Sequence, residues 1–179
     1  MVLGGAGEVG RAAVRVLAGA PDVERLVVAD LSGGRAREVV AELGDHCVAR
    51  AIDVTDHADL VAAIRGCDIV VNTVGPYFRF GPGVLRAAIE AERDYVDVCD
   101  DPVPTMAMLE MNADAESAGI TAVLGVGAPP RGAQKHYPPS KGGRGRAPTP
   151  RTAVIPADAA SAFISSMAIV GTGSSQTST

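Results

Sequence analysis

Gly4-Gly5-Ala6-Gly7-Glu8-Val9-Gly10 stands between an apolar stub, Met1-Val2-Leu3, and the stretch Arg11-Ala12-Ala13-Val14-Arg15-Val16-Leu17. It reads as the end of a strand, a glycine loop and the start of a helix whose apolar stripe runs through Val9, Ala13, Val16 and Leu17. Working outward, five further apolar runs rich in β-branched residues follow: 26–30, 47–52, 68–74, 95–98 and 120–126. Such runs are what strands buried on both faces look like. Helical stripes separate them, through Ala36, Val39, Val40 and Leu43; Leu60 and Ile64; Val84, Leu85, Ala88 and Ile89; and Met106, Leu109 and Ala113. Gly19, Gly44, Gly66 and Gly119 close periodic stretches, and Asp56 with Asp59 caps and charges the start of the third helix. Six strands alternating with five helices predict an α/β fold of Rossmann type, a doubly wound parallel sheet, because right-handed crossovers place helices on both faces.

Composition bounds the function classes. The 179 residues are 47% hydrophobic with 3% aromatic, so an aliphatic core is available and a disordered chain is excluded. The formal net charge of −5 gives no global positive field for a nucleic-acid backbone or an anionic membrane. Neither partner is expected. Cys47, Cys67 and Cys99 are widely spaced and lack histidines at metal-ligand spacing, so they read as small packed side chains in a reducing compartment, with no metal site. The opening residues lack the features of a signal peptide, and no apolar stretch approaches bilayer length, which predicts a soluble, cytoplasmic chain.

The chain changes character after Ala128. Residues 1–128 carry ten arginines, no lysine and 20 acidic residues; residues 129–179 carry six basic residues, one acidic residue and seven of the 12 prolines. The expectation is a folded domain over 1–128 and a low-complexity, largely disordered tail over 129–179.

Gly5, Gly7 and Gly10 fit G-x-G-x-x-G between a strand and a helix. There the first glycine permits a tight turn, the second lets backbone approach a pyrophosphate and the third lets helix pack on strand. The phosphates would lie on the N–H groups of Glu8, Val9 and Gly10 at the helix start. Asp30, 20 residues after Gly10 at the end of the second strand, stands where a carboxylate accepts hydrogen bonds from an adenosine ribose. This carboxylate favours NAD, whereas Arg35 and Arg37 follow closely enough to reach a 2′-phosphate, with Arg37 reading better as a solvated helix residue. Gly4 also allows the spacing G-x-x-G-x-x-G found in short-chain dehydrogenases and epimerases. The Tyr-x-x-x-Lys pair of those enzymes has its only formal match in Tyr137 and Lys141, with Pro138 and Pro139 between them to oppose a helix.

The stretch DIVVNTVGPYFRFGPGVLRAAIEAERDYVDVCDD (68–101) resembles the N-terminal NAD(P)-binding domain of the saccharopine dehydrogenase family. Asn72, Pro76, Tyr77, Gly81, Tyr95 and Asp97 match its Asn-x-x-x-Pro-Tyr segment and Tyr-Val-Asp strand, and the resemblance covers roughly 1–128. It implies a nicotinamide dinucleotide, NAD or NADP, with Asn72, Thr73 and Val74 lining the ribose and nicotinamide side of the cleft. Asp53 and Val54 after the third strand would lie near the adenine, and a helix cap is an equal reading of Asp53. No catalytic residue is assigned, because Tyr77 reads as a turn-packing aromatic, and Asp97, Asp100 and Asp101 as a run before a helix near Pro102.

The sequence departs from the family pattern in three ways. Glu92 stands where the family usually has a glycine, the first strand is short, and past Ala128 nothing resembles the family's second, substrate-covering domain. A tail rich in Arg, Pro, Gly and Ala is what a shifted reading of GC-rich DNA gives, so residues 129–179 are expected to be either a genuine tail or a frameshift or truncation product. The function this resemblance implies is the cofactor portion of an NAD(P)-dependent oxidoreductase acting on C–N bonds of amino-acid or polyamine-type substrates, with no turnover expected from this chain without the second domain. The alternatives are a non-catalytic nucleotide-binding or interaction module and a short-chain dehydrogenase or epimerase. The expected partners are a small-molecule dinucleotide and, through apolar surface uncovered past the sixth strand, further copies of the chain as a homo-oligomer.

Overall fold

A computed structural model describes residues 1–126. The expectations placed on 129–179, including the Tyr137 and Lys141 pair, lie outside the described residues.

The strands are β1 (Val2–Leu3), β2 (Leu26–Asp30), β3 (Cys47–Ala51), β4 (Ile69–Asn72), β5 (Asp94–Asp97) and β6 (Ala122–Val123). Between them run α1 (Glu8–Ala18), α2 (Gly33–Val40), α3 (His57–Ile64), α4 (Tyr77–Ala91), α5 (Pro102–Leu109) and α6 (Asn112–Ser117). All strand pairings are parallel and the order is β3-β2-β1-β4-β5-β6. Chain order therefore reverses direction between β1 and β4, the place where open sheets of this kind bind ligands at the carboxyl ends of their strands.

Alternation along each strand sends neighbours to opposite faces. Val2, Val28 and Val71 pack with Val14, Ala36 and Val39 of α1 and α2, whereas Leu3, Ala29 and Val70 pack with Leu60, Ile64, Val84 and Leu85 of α3 and α4. The expected fifth helix is two helices. The Met111 N–H bonds the Met108 carbonyl over a tight i→i−3 turn that ends α5, and the Ala115 N–H then bonds the Met111 carbonyl to open α6. The sixth strand is also shorter than the apolar run at 120–126, because its pairing with β5 is confined to Ala122 and Val123. Cys47 and Cys99 are buried and Cys67 half-buried, all three as free thiols. Burial pushes each of these thiols up.

Candidate functional site

The loop from β1 to α1 is held by its own backbone. Gly5 N–H donates to the Ala29 carbonyl at 2.9 Å, and Gly7 N–H folds back to the Gly4 carbonyl at 2.9 Å. The left-handed residue of the turn is Gly4, at φ +74°, so the tight-turn role expected of Gly5 belongs to Gly4. Gly5 is required for another reason: a Cβ there would stand 2.7 Å from Val28 Cγ1. A Cβ on Gly10 would overlap the Gly4 carbonyl oxygen, so helix α1 rests directly on the loop. At Gly7 a Cβ would meet only the Gly4 carbonyl oxygen, at 3.2 Å.

Helix ends distinguish this site from the rest of the sheet edge. Ser32, Asp56 and Asp101 cap α2, α3 and α5 through side-chain oxygens. Gly7 and Pro76, which precede α1 and α4, supply no such bond. These helices follow β1 and β4, the two strands flanking the switch point. The first-turn N–H groups of Glu8, Val9 and Gly10 are thus left without a side-chain acceptor at the crevice, the arrangement that suits an anion.

Asp30 comes to the loop from the neighbouring strand. Its Oδ2 accepts the Ala6 N–H at 3.2 Å and its Oδ1 accepts the Ser32 N–H at 3.1 Å. The Ala6 carbonyl in turn accepts from Arg35 Nη2 at 2.7 Å and Arg11 Nε at 3.2 Å. Asp30 and Arg35 therefore meet at one peptide group. Arg11, which the sequence reading did not single out, joins them because it lies one residue past the last glycine of the loop.

Asp53 and Val54 lie in the loop after β3. The Asp53 carboxylate accepts from the Thr55 hydroxyl at 2.7 Å and the Thr55 N–H at 2.9 Å, and these bonds hold it below the usual carboxylate range. Asp53 is thus a turn former, and the cap of α3 is Asp56.

Asn72, Thr73 and Val74 leave β4 beside the glycine loop. Thr73 Oγ1 donates to the Leu3 carbonyl at 2.7 Å, and Val74 N–H donates to Asn72 Oδ1 at 3.0 Å. The next turn passes a cis Gly75–Pro76 peptide into α4, whose Tyr77 hydroxyl donates to the Asn72 carbonyl at 2.8 Å. Burial, with the Asp97 charge adding to it, pushes the Tyr77 phenol up, which suits a packing role. Of the aspartates after β5, Asp101 caps α5 and Asp97 is fully buried. Asp97 and Tyr95 form a buried polar group with Asn72, to which the Gly125 N–H donates from just past β6, and the apolar reading of 95–98 did not reveal it. The available signal was period two: Tyr95 and Asp97 share one face of a buried strand, where polar groups need partners.

Residues 1–123 match the family model described as the saccharopine dehydrogenase NADP binding domain. The chain belongs to that family. Membership makes a nicotinamide dinucleotide, NAD or NADP, its cofactor, and the glycine cradle with its uncapped helix start fits one. In solved structures the domain is similar to the L-Glu-forming saccharopine dehydrogenase of Saccharomyces cerevisiae, at 26% identity and a TM-score of 0.59 over 70% of this chain and 26% of that one. The 3-hydroxyacyl-CoA dehydrogenase type-2 of Mycobacterium avium shares the fold, at 19% identity and a TM-score of 0.54 over 69% of this chain and 70% of that one. Among curated relatives, a lipid droplet localized protein of Caenorhabditis elegans is 32% identical over 111 residues, covering 57% of this chain and 26% of its own length. A Mycobacterium tuberculosis protein named as a trans-acting enoyl reductase is 31% identical over 106 residues, covering 58% of this chain and 25% of its own. The chain thus spans about a quarter of the length of these curated relatives. Among the described residues no helix is long and apolar enough to cross a membrane.

Proposed function

We propose that this domain holds NADP(H) across the carboxyl edge of its sheet, as the cofactor portion of an oxidoreductase that transfers hydride at a C–N bond of an amino-acid or polyamine-type substrate. The observation that carries this reading is the glycine loop closing onto an uncapped α1 at the β1/β4 switch point. In it, Gly5, Gly7 and Gly10 keep the loop low, and the N–H groups of Glu8, Val9 and Gly10 receive the pyrophosphate. Asp30 takes the adenosine ribose and Arg35 turns from the Ala6 carbonyl to a 2′-phosphate. Asp53 and Val54 border the adenine. Asn72, Thr73 and Val74 border the nicotinamide ribose.

When bound, the dinucleotide supplies or accepts the hydride. The work of this chain's residues is to fix that cofactor against the sheet edge and exclude water from one side of it, since transfer needs reacting atoms held at about 3–3.5 Å. The enoyl reductase name of one relative favours a second reading, hydride transfer to a carbon–carbon double bond, on the same cofactor geometry. Fluorescence titration with NADPH and NADH, followed by assays with amine and enoyl substrates, tests both. Saturable NADPH binding with amine-dependent turnover in the full-length protein supports the first. Turnover with enoyl substrates alone supports the second, and absence of dinucleotide binding overturns both.

A further inference from the structure

Among the described residues, Asn72 and Asp97 are the polar side chains with no exposed surface, and Tyr95 is buried with them. They are brought together by strand register, in which Asn72 stands beside Asp97 and Val70 beside Tyr95. Asn72 Nδ2 donates to the Tyr95 hydroxyl at 2.9 Å, and that hydroxyl donates to Asp97 Oδ2 at 3.0 Å. Its single proton is thus committed to Asp97, and it accepts from Asn72. Each end of this relay then grips backbone. Asn72 Oδ1 accepts the Val74 N–H, while Asp97 Oδ1 accepts the Cys99 N–H at 3.1 Å and the Gly125 N–H at 2.7 Å.

All three gripped amides lie just past the ends of β4, β5 and β6. At the last of these exits Gly125 is left-handed, at φ +71°, and its Cβ position stands 3.0 Å from the Cys99 carbonyl oxygen. A buried polar chain is costly to desolvate and gives no stability that an apolar core could not. What it does give is a fixed spacing among the three exits, through a chain of side-chain hydrogen bonds that reaches all of them. The adenosine half of the edge is held separately, by Asp30 on Ala6 and by the Gly5 N–H on Ala29.

We infer that Tyr95 is a positioning residue for the nicotinamide half of the cleft, its hydroxyl setting the β4, β5 and β6 exits relative to one another. This rests on the dinucleotide reading above, in which the β4 side of the switch point carries the nicotinamide.

The test is Tyr95→Phe in the full chain, titrated with NADPH and with adenosine 2′,5′-bisphosphate, which fills the adenosine half alone. The expected result is NADPH bound about tenfold more weakly, the bisphosphate bound as in the wild type, and faster amide exchange at Val74, Cys99 and Gly125 but not at Ala6. Equal weakening of both ligands, or unchanged NADPH binding, overturns the inference. Should the variant fail to fold, exchange in the wild type decides: NADPH must slow the Val74, Cys99 and Gly125 amides more than the bisphosphate does, and equal slowing overturns it. A wild-type chain that binds the bisphosphate but not NADPH refutes the positioning role alone. One that binds neither refutes the dinucleotide reading and this inference together.

Discussion

Asp30 and Arg35 pull on opposite ends of the same residue, the carboxylate on the Ala6 N–H and the guanidinium on the Ala6 carbonyl. An arginine engaged by a neutral carbonyl can be drawn to a phosphate at small cost, because charge-assisted bonds are the stronger kind. Arg35→Ala is therefore expected to weaken NADPH by about 1–3 kcal/mol while changing NADH little, as read by paired titrations. Asp30→Ala is expected to weaken NADH more than NADPH, since it removes both a ribose acceptor and a charge that opposes a 2′-phosphate. At Glu92 the backbone is left-handed, at φ 56°, in a position that favours glycine. Relief of that strain exceeds the entropy a glycine adds to the unfolded chain, so Glu92→Gly should stabilise the fold by about 0.5–1 kcal/mol, measured by denaturant melting. Burial pushes the Asp97 carboxyl above its ordinary value of 3.8, against the pull of its three donors. A raised folded-state pKa favours the fold below the unfolded value and withdraws that contribution as pH rises through the folded value. The stability of the wild type relative to Asp97→Asn should accordingly increase as pH is lowered from 7 toward 4, and a flat difference would place the Asp97 pKa at its ordinary value.

At the scale of elements, the glycines of the β1–α1 loop separate binding from folding. A Cβ on Gly10 overlaps the Gly4 carbonyl oxygen, so Gly10→Ala should destabilise by about 1–3 kcal/mol. Gly7 has ordinary φ, and its Cβ meets only one atom at 3.2 Å. Gly7→Val should therefore melt near the wild type yet lose dinucleotide binding, its branched side chain occupying the pyrophosphate's place. These glycines were legible in the sequence because loop, strand and helix lie within one short local pattern, and Asp30 because its distance from Gly10 follows from one helix and one strand. The capping roles of Asp56 and Asp101 were legible for the same local reason. Arg11, the relay through Tyr95 and the turn role of Gly4 were not, since each depends on contacts made only once the chain has folded. The split between α5 and α6 also escaped periodicity, because a single tight turn at Met111 leaves the apolar spacing on either side intact.

For the whole molecule, the sheet order concentrates every candidate residue at one edge. Gly5, Gly7 and Gly10 come from β1–α1, Asp30 and Arg35 from β2–α2, Asp53 and Val54 from β3–α3, and Asn72, Thr73 and Val74 from β4. No charge pattern or composition would assemble them, and the parallel order does so by placing every strand's carboxyl end on one side. The most direct measurement of the central claim is an amide spectrum of the isotope-labelled protein titrated with NADPH. The account predicts that the Ala6, Glu8, Val9 and Gly10 amides shift first and furthest, followed by Asn72, Thr73 and Val74. Shifts confined to other surfaces, or a folded protein whose glycine-loop amides stay still at saturating NADPH, would contradict it.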